Sequence, residues 1–112
     1  IMDSISLPDD IKEVIHSVID SAVRAVNVSK VYLFGSYYNG TYTEDSDIDL
    51  AFFIHNDECL IDAHRKIIRI TSKYPIDIQP QIFYENELEE KIGIVGEIIE
   101  NGGEIYRKHG VN

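Results

Sequence analysis

The chain has 112 residues, 44% of them apolar, and a formal charge of −10 at neutral pH. That length suits one domain with one core, spanning residues 1–112, and the apolar share is too high for a disordered chain. A surface this acidic repels a phosphate backbone, which argues against a nucleic-acid partner, and no apolar run approaches the ~20 residues of a membrane span.

From about Pro8 to Val26, the residues Ile11, Val14, Ile15, Val18, Ile19, Ala22, Val23 and Val26 recur at the spacing of one helix face. Pro8 suits the first turn, and Asp9 and Asp10 favour the positive end of the helix dipole. Lys30–Phe34 is a short β-prone run that Gly35-Ser36 ends, and the polar stretch Tyr37–Ser46 reads as a loop with room for a helical turn. Asp47–Ile54 predicts a second strand. It alternates acid and aliphatic at its start and then turns continuously apolar, so one end meets solvent and the other is buried.

Leu60–Ser72 predicts a helix with Leu60, Ile61, Ala63, Ile67, Ile68 and Thr71 on its apolar side and His64 packed near them. Ile76–Phe83 predicts a third strand, in which Pro80 argues for an edge or a bulge. Glu87–Glu100 has a helical pattern weakened by Gly93 and Gly96; Gly102-Gly103 stops it, and Glu104–Arg107 is a last short strand. This order predicts an α+β fold, a mixed sheet with helices packed on it.

The lone cysteine, Cys59, excludes an internal disulfide and a cysteine-rich metal site. His16, His55, His64 and His109 show no ligand spacing and read as surface or half-buried residues. The first residues lack the basic and apolar regions of a signal peptide, so Met2 reads as the start of the native chain and the cytoplasm as its location. The excess carboxylates serve solubility, or else meet a basic protein or divalent cations.

Asp47 and Asp49 lie two apart on a predicted strand, so both carboxylates point to one face. Like charges held that close raise the pKa of one of them or demand a cation. Hard ions such as Mg²⁺ take oxygen ligands, often one or two carboxylates plus substrate phosphates, and a pair of them can clamp both oxygens of a phosphoryl displacement. Gly35-Ser36, at the end of the preceding strand, offers backbone N–H groups and a hydroxyl to a phosphate. Taken singly, a Gly-Ser is a turn and an Asp-x-Asp is two solvated acids; it is the combination at this spacing that carries meaning.

Gly35-Ser36, ten intervening residues, then Asp47-Ile48-Asp49 is a pattern that resembles the nucleotidyltransferase superfamily with the DNA polymerase β-like fold. Ser46 and Leu50, which flank the acids, also match common members. In size the chain is similar to the minimal nucleotidyltransferases (MNT), antitoxins often encoded beside a HEPN-domain toxin. The resemblance implies a third carboxylate on a later strand, for which Asp77 is the match, with Asp47, Asp49 and Asp77 as metal-binding and catalytic residues. It implies Gly35 and Ser36 as nucleotide-binding residues, ATP as substrate, two Mg²⁺ ions as cofactor, and AMP transfer to a tyrosine of a HEPN partner. Many members carry arginine at the position of Asn39, so phosphate neutralisation would lean on the cations and backbone donors. Two other outcomes stay open from the residues: transfer to a small molecule, as in aminoglycoside nucleotidyltransferases, or a binding module that neutralises its partner by contact alone.

Overall fold

The computed structural model describes residues 5–109, so Met2 lies outside it. Helix α1 (Asp9–Ala25) forms as its periodicity predicts. Pro8 precedes it as the cap residue, and Ile11, Ile15, Val18, Ile19 and Ala22 are buried on one face. Strands β1 (Val28–Phe34) and β2 (Ile48–Ile54) pair antiparallel and are joined through a one-turn helix, α2 (Ser36–Asn39). Helix α3 (Leu60–Thr71) leads to β3 (Ile78–Tyr84), which runs parallel to β2. Helices α4 (Glu87–Glu90) and α5 (Gly93–Asn101) then precede β4 (Gly103–Arg107), antiparallel to β1. The sheet order is β3-β2-β1-β4, so Pro80 does lie on an edge strand, where its missing N–H costs no ladder bond.

β2 is the centre of the molecule. Leu50 through Ile54 have no solvent exposure. Alternation along the strand splits them between two layers. Leu50, Phe52 and Ile54 pack with α1 and α3, while Ala51 and Phe53 pack with Val95 and Ile98 of α5. Each of the larger side chains, Leu50, Phe52, Phe53 and Ile54, contributes about 1.5–3 kcal/mol when fully buried. A strand covered on both faces is therefore the most firmly held element, and its first residues inherit that rigidity.

Three expectations are corrected. The helix expected over Glu87–Glu100 is two helices, because Lys91 and Gly93 both adopt positive φ (+53° and +59°). Gly96 makes that break possible: a Cβ there would run into the Lys91 carbonyl oxygen. The third strand starts at Ile78, so Ile76 and Asp77 belong to the turn before it. On α3 only Ala63, Ile67 and Thr71 are buried; His64 faces water, and Leu60, Ile61 and Ile68 are exposed. The sheet offers α3 a narrower contact than its apolar side could fill.

Candidate active site at one end of the sheet

Because β1 and β2 are antiparallel, the last residue of β1 meets the first residues of β2, and Phe34 pairs with Asp49. Because β3 is parallel to β2, its first residue joins them, and Ile48 pairs with Ile78. The topology thus brings Gly35, Ser36, Asp47, Asp49 and Asp77 to one end of the sheet.

The turn after β1 is fixed by two backbone bonds, from the Tyr38 and Asn39 N–H groups to the Gly35 carbonyl, at 3.1 and 2.9 Å. The N–H groups of Ser36 and Tyr37 begin the helical turn and have no upstream carbonyl within it to bond. Gly35 has φ +74°, and a Cβ there would collide with Oδ2 of Asp49 and stand 3.0 Å from its Cγ. Both the left-handed backbone and the carboxylate packed on the Cα require glycine. The motif glycine and the second motif acid are one contact, not two neighbouring features.

Asp47 and Asp49 are both partly exposed. Asp49 shares its strand face with Ala51 and Phe53, the α5 side of the sheet. Burial first, and the Asp47 charge second, hold the Asp49 carboxyl above the ordinary carboxylate value. Among the described residues, no side-chain hydrogen bond or ion pair reaches the carboxylate of Asp47, Asp49 or Asp77.

Asp77 is exposed, and its carbonyl accepts the Ile48 N–H at 2.9 Å, which ties the start of β3 to the peptide between the two motif acids. Its side chain does not complete a cage: among the described residues, no three His, Cys, Asp or Glu side chains converge as a metal site. The donor set suits a hard divalent cation held by one or two carboxylates with substrate oxygens filling its shell, and not a closed protein-only site.

A cleft of about 860 Å³ opens beside Asp77, between the start of α1, the Tyr42–Ser46 loop and the Pro75–Asp77 turn. Asp10, Glu44 and Asp45 line it with Asp77, and its wall carries Tyr37 stacked on Tyr42 with ring centroids 4.6 Å apart. Burial, then the Asp10 charge, then Tyr42 raise the Tyr37 phenol above its ordinary value. Sequence reasoning did not find this cleft. Asp10 reads as a helix-dipole acid and Tyr37 as a loop residue, and only long-range packing joins them.

The family model of the polymerase β nucleotidyltransferases matches residues 16–110. A Methanocaldococcus jannaschii protein named as a putative protein adenylyltransferase is 34% identical over 89 residues, which make up 76% of this chain and 86% of that protein. The fold is similar to that of a Sulfolobus solfataricus protein described as a putative nucleotidyltransferase, with TM-score 0.61, 16% identity, and 95% of this chain and 94% of that one covered. It is also similar to a chain in a crystal structure of a toxin–antitoxin with AMP-PNP, with TM-score 0.62, 20% identity, and 84% and 73% covered. Among the described residues, no helix is long and apolar enough to cross a membrane. With its motif acids on adjoining strand ends and the family match running through most of its length, the chain belongs to the polymerase β nucleotidyltransferase family and is a nucleotidyltransferase.

Proposed function

We propose that the chain transfers AMP from ATP to a tyrosine hydroxyl of a HEPN-type toxin partner in the cytoplasm, acting as an antitoxin. The observation that carries the reading is the Asp49 carboxylate packed on Gly35 and feeling the Asp47 charge, with no side chain or backbone N–H among the described residues bonded to either carboxylate. Natural proteins pair acids that are held this close unless a ligand does so. The adenylyl group and the protein acceptor rest on the name of the 34%-identical relative, and the toxin on the AMP-PNP-bound neighbour of similar fold.

In this mechanism, the triphosphate lies along Gly35 and Ser36, taking the Ser36 and Tyr37 N–H groups and the Ser36 hydroxyl as donors. Asp47 and Asp49, with Asp77 beside them, would hold Mg²⁺, two ions in the full complex. When bound, Mg²⁺ supplies charge neutralisation on the phosphates and acidifies the acceptor hydroxyl. The exposed Asp77 carboxylate takes the hydroxyl proton. The acceptor oxygen bonds to the α-phosphorus, the bond to the β-phosphate bridge breaks, and pyrophosphate leaves. The protein's part is chiefly positioning and charge placement.

The test is labelled ATP, Mg²⁺ and the candidate toxin, with mass spectrometry of the toxin. One AMP or more on a tyrosine is expected, and Asp47→Ala with Asp49→Ala should abolish it. Labelling that persists in the double variant removes these acids from the reaction. A toxin that is neutralised yet never labelled leaves only neutralisation by contact.

A further inference from the structure

Residues 60–73 hold four of the ten basic residues, Arg65, Lys66, Arg69 and Lys73, against one of the twenty acids, Asp62. In a chain of charge −10, α3 and the turn after it are therefore a basic island. The outer side of this island is also apolar. Ile61 and Ile68 are 69% and 41% exposed, and a spacing of seven puts them on one side of the helix, two turns apart. Arg65 and Arg69, both exposed, flank that side. The contact of Arg65 with Asp62, 3.7 Å between exposed groups, ties it down only weakly.

The remaining exposed apolar surface has the opposite charge beside it. Among the described residues, the large exposed apolar side chains are Leu60, Ile61 and Ile68 on α3, and Ile92 (70%) and Ile94 (48%) where α4 gives way to α5. Residues 85–90, just before Ile92, hold four acids and no base, and Glu89 and Glu90 are exposed. Lys91 alone offsets them there. The two patches complement each other, isoleucines to isoleucines and arginines to glutamates. One chain cannot join them. α3 packs on the Leu50, Phe52 and Ile54 face of β2 and α5 on the Ala51 and Phe53 face, so the patches lie on opposite layers of the sheet. A nucleic acid or an anionic membrane would meet the arginines and leave Ile92 and Ile94 bare. A second copy covers both patches.

We infer that the chain associates with a second copy head to tail, the α3 face of one seated on the α4–α5 edge of the next. Ile61 and Ile68 pack against Ile92 and Ile94, while Arg65 and Arg69 meet Glu89 and Glu90. The contact is heterologous, so each pair keeps one patch of either kind free and can add a further copy. Nothing in this contact depends on nucleotidyl transfer.

Sedimentation equilibrium of the whole chain at low salt, from about 10 µM to about 1 mM, reads the association. The mean mass of wild type should rise from one chain toward two or more across that range, and fall back in ~0.5 M salt. Arg65→Glu/Arg69→Glu and Glu89→Lys/Glu90→Lys should each weaken association by about tenfold or more with unchanged circular dichroism. Mixed one to one, the two variants should regain it, because each reversed patch then finds its opposite on the other chain. Ile92→Ser should weaken it at unchanged charge. Net charge forecasts the reverse for Glu89→Lys/Glu90→Lys: a less negative chain would associate more, and that result overturns the head-to-tail contact. So does a mixture that stays dissociated, or wild type that remains a single chain throughout. Wild type that stays single yet binds a polyanion, an anionic vesicle or the candidate toxin through Arg65 and Arg69 gives the α3 face to that partner and overturns it too.

Discussion

The two ends of the sheet carry acids in opposite states. At the far end the polar groups close on one another. Glu58 accepts the Asn27 N–H at 2.6 Å, Glu87 accepts the Tyr84 N–H at 2.8 Å, the Ser29 hydroxyl donates to Glu85, and Lys108 reaches Asn27 at 2.7 Å. At the motif end, Asp47, Asp49 and Asp77 have no such partner among the described residues. Glu58, Glu85 and Glu87 at the far end and Asp47 and Asp49 at the motif end are all half-buried, so solvent alone does not explain the contrast between them. At the far end the partnered acids hold the fold together, while the half-buried motif acids Asp47 and Asp49 are left to a ligand from outside the described residues.

This comparison can be broken most sharply by removing the motif charges. Asp47→Asn or Asp49→Asn should each lower AMP transfer by about 10²–10³-fold while leaving the melting temperature undiminished; unfolding of either variant would make these acids structural. Gly35→Ala comes next. It should cost about 2–3 kcal/mol through the left-handed backbone and the collision with Asp49, and any folded fraction should transfer poorly, as a thermal melt paired with an activity assay would read. At the far end, Glu85→Ala should leave the buried Ser29 hydroxyl unpaired and cost about 1–3 kcal/mol in urea unfolding, without changing turnover per folded molecule. A loss of turnover there would end the division of labour between the two ends.

The smallest effect concerns pH. Asp49 titrates above its unfolded value, so between those two values the folded chain holds the extra proton. Stability therefore falls as pH rises through that window, and the charged form costs stability at neutral pH. Asp49→Asn should raise the metal-free melting temperature at pH 7, because it removes a charge that the folded state disfavours. The gain should shrink as pH falls and vanish below the ordinary carboxylate value of 3.8, where the group is protonated folded or unfolded, and differential scanning fluorimetry across that range checks it. A gain that survives undiminished below that value would put its origin outside the charge.

Much of the far end was closed to sequence reading, and the reason is distance. Ser29 and Glu85 are separated by 56 positions, and nothing local to either announces the other. The motif end was legible because its signals are local: a glycine that must turn, and acids alternating with aliphatics at the mouth of an apolar strand. α1 was legible for the same reason, since its period is written in consecutive turns. The break at Lys91 was not, because a positive φ at lysine has no local signature and the close approach at Gly96 is a tertiary fact. Leu60, Ile61 and Ile68 misled because periodicity counts apolar residues without asking how wide a neighbour is available to cover them. The alternation of Ile76, Ile78 and Ile82 reads Asp77 into a strand that it only precedes, although its place at the motif end follows from the parallel register.

The contact between Gly35 and Asp49 makes the reaction a gauge of strand alignment. A slip of one residue between β1 and β2 would bring Ile48 or Leu50 against the glycine and swing the carboxylate toward the α1 layer. Such a molecule would still be compact and would still show a sheet, but it would be silent. Specific activity, per milligram of well-purified protein, thus reports the fraction of chains whose hairpin closed in register, a quantity that spectroscopy of the sheet would miss.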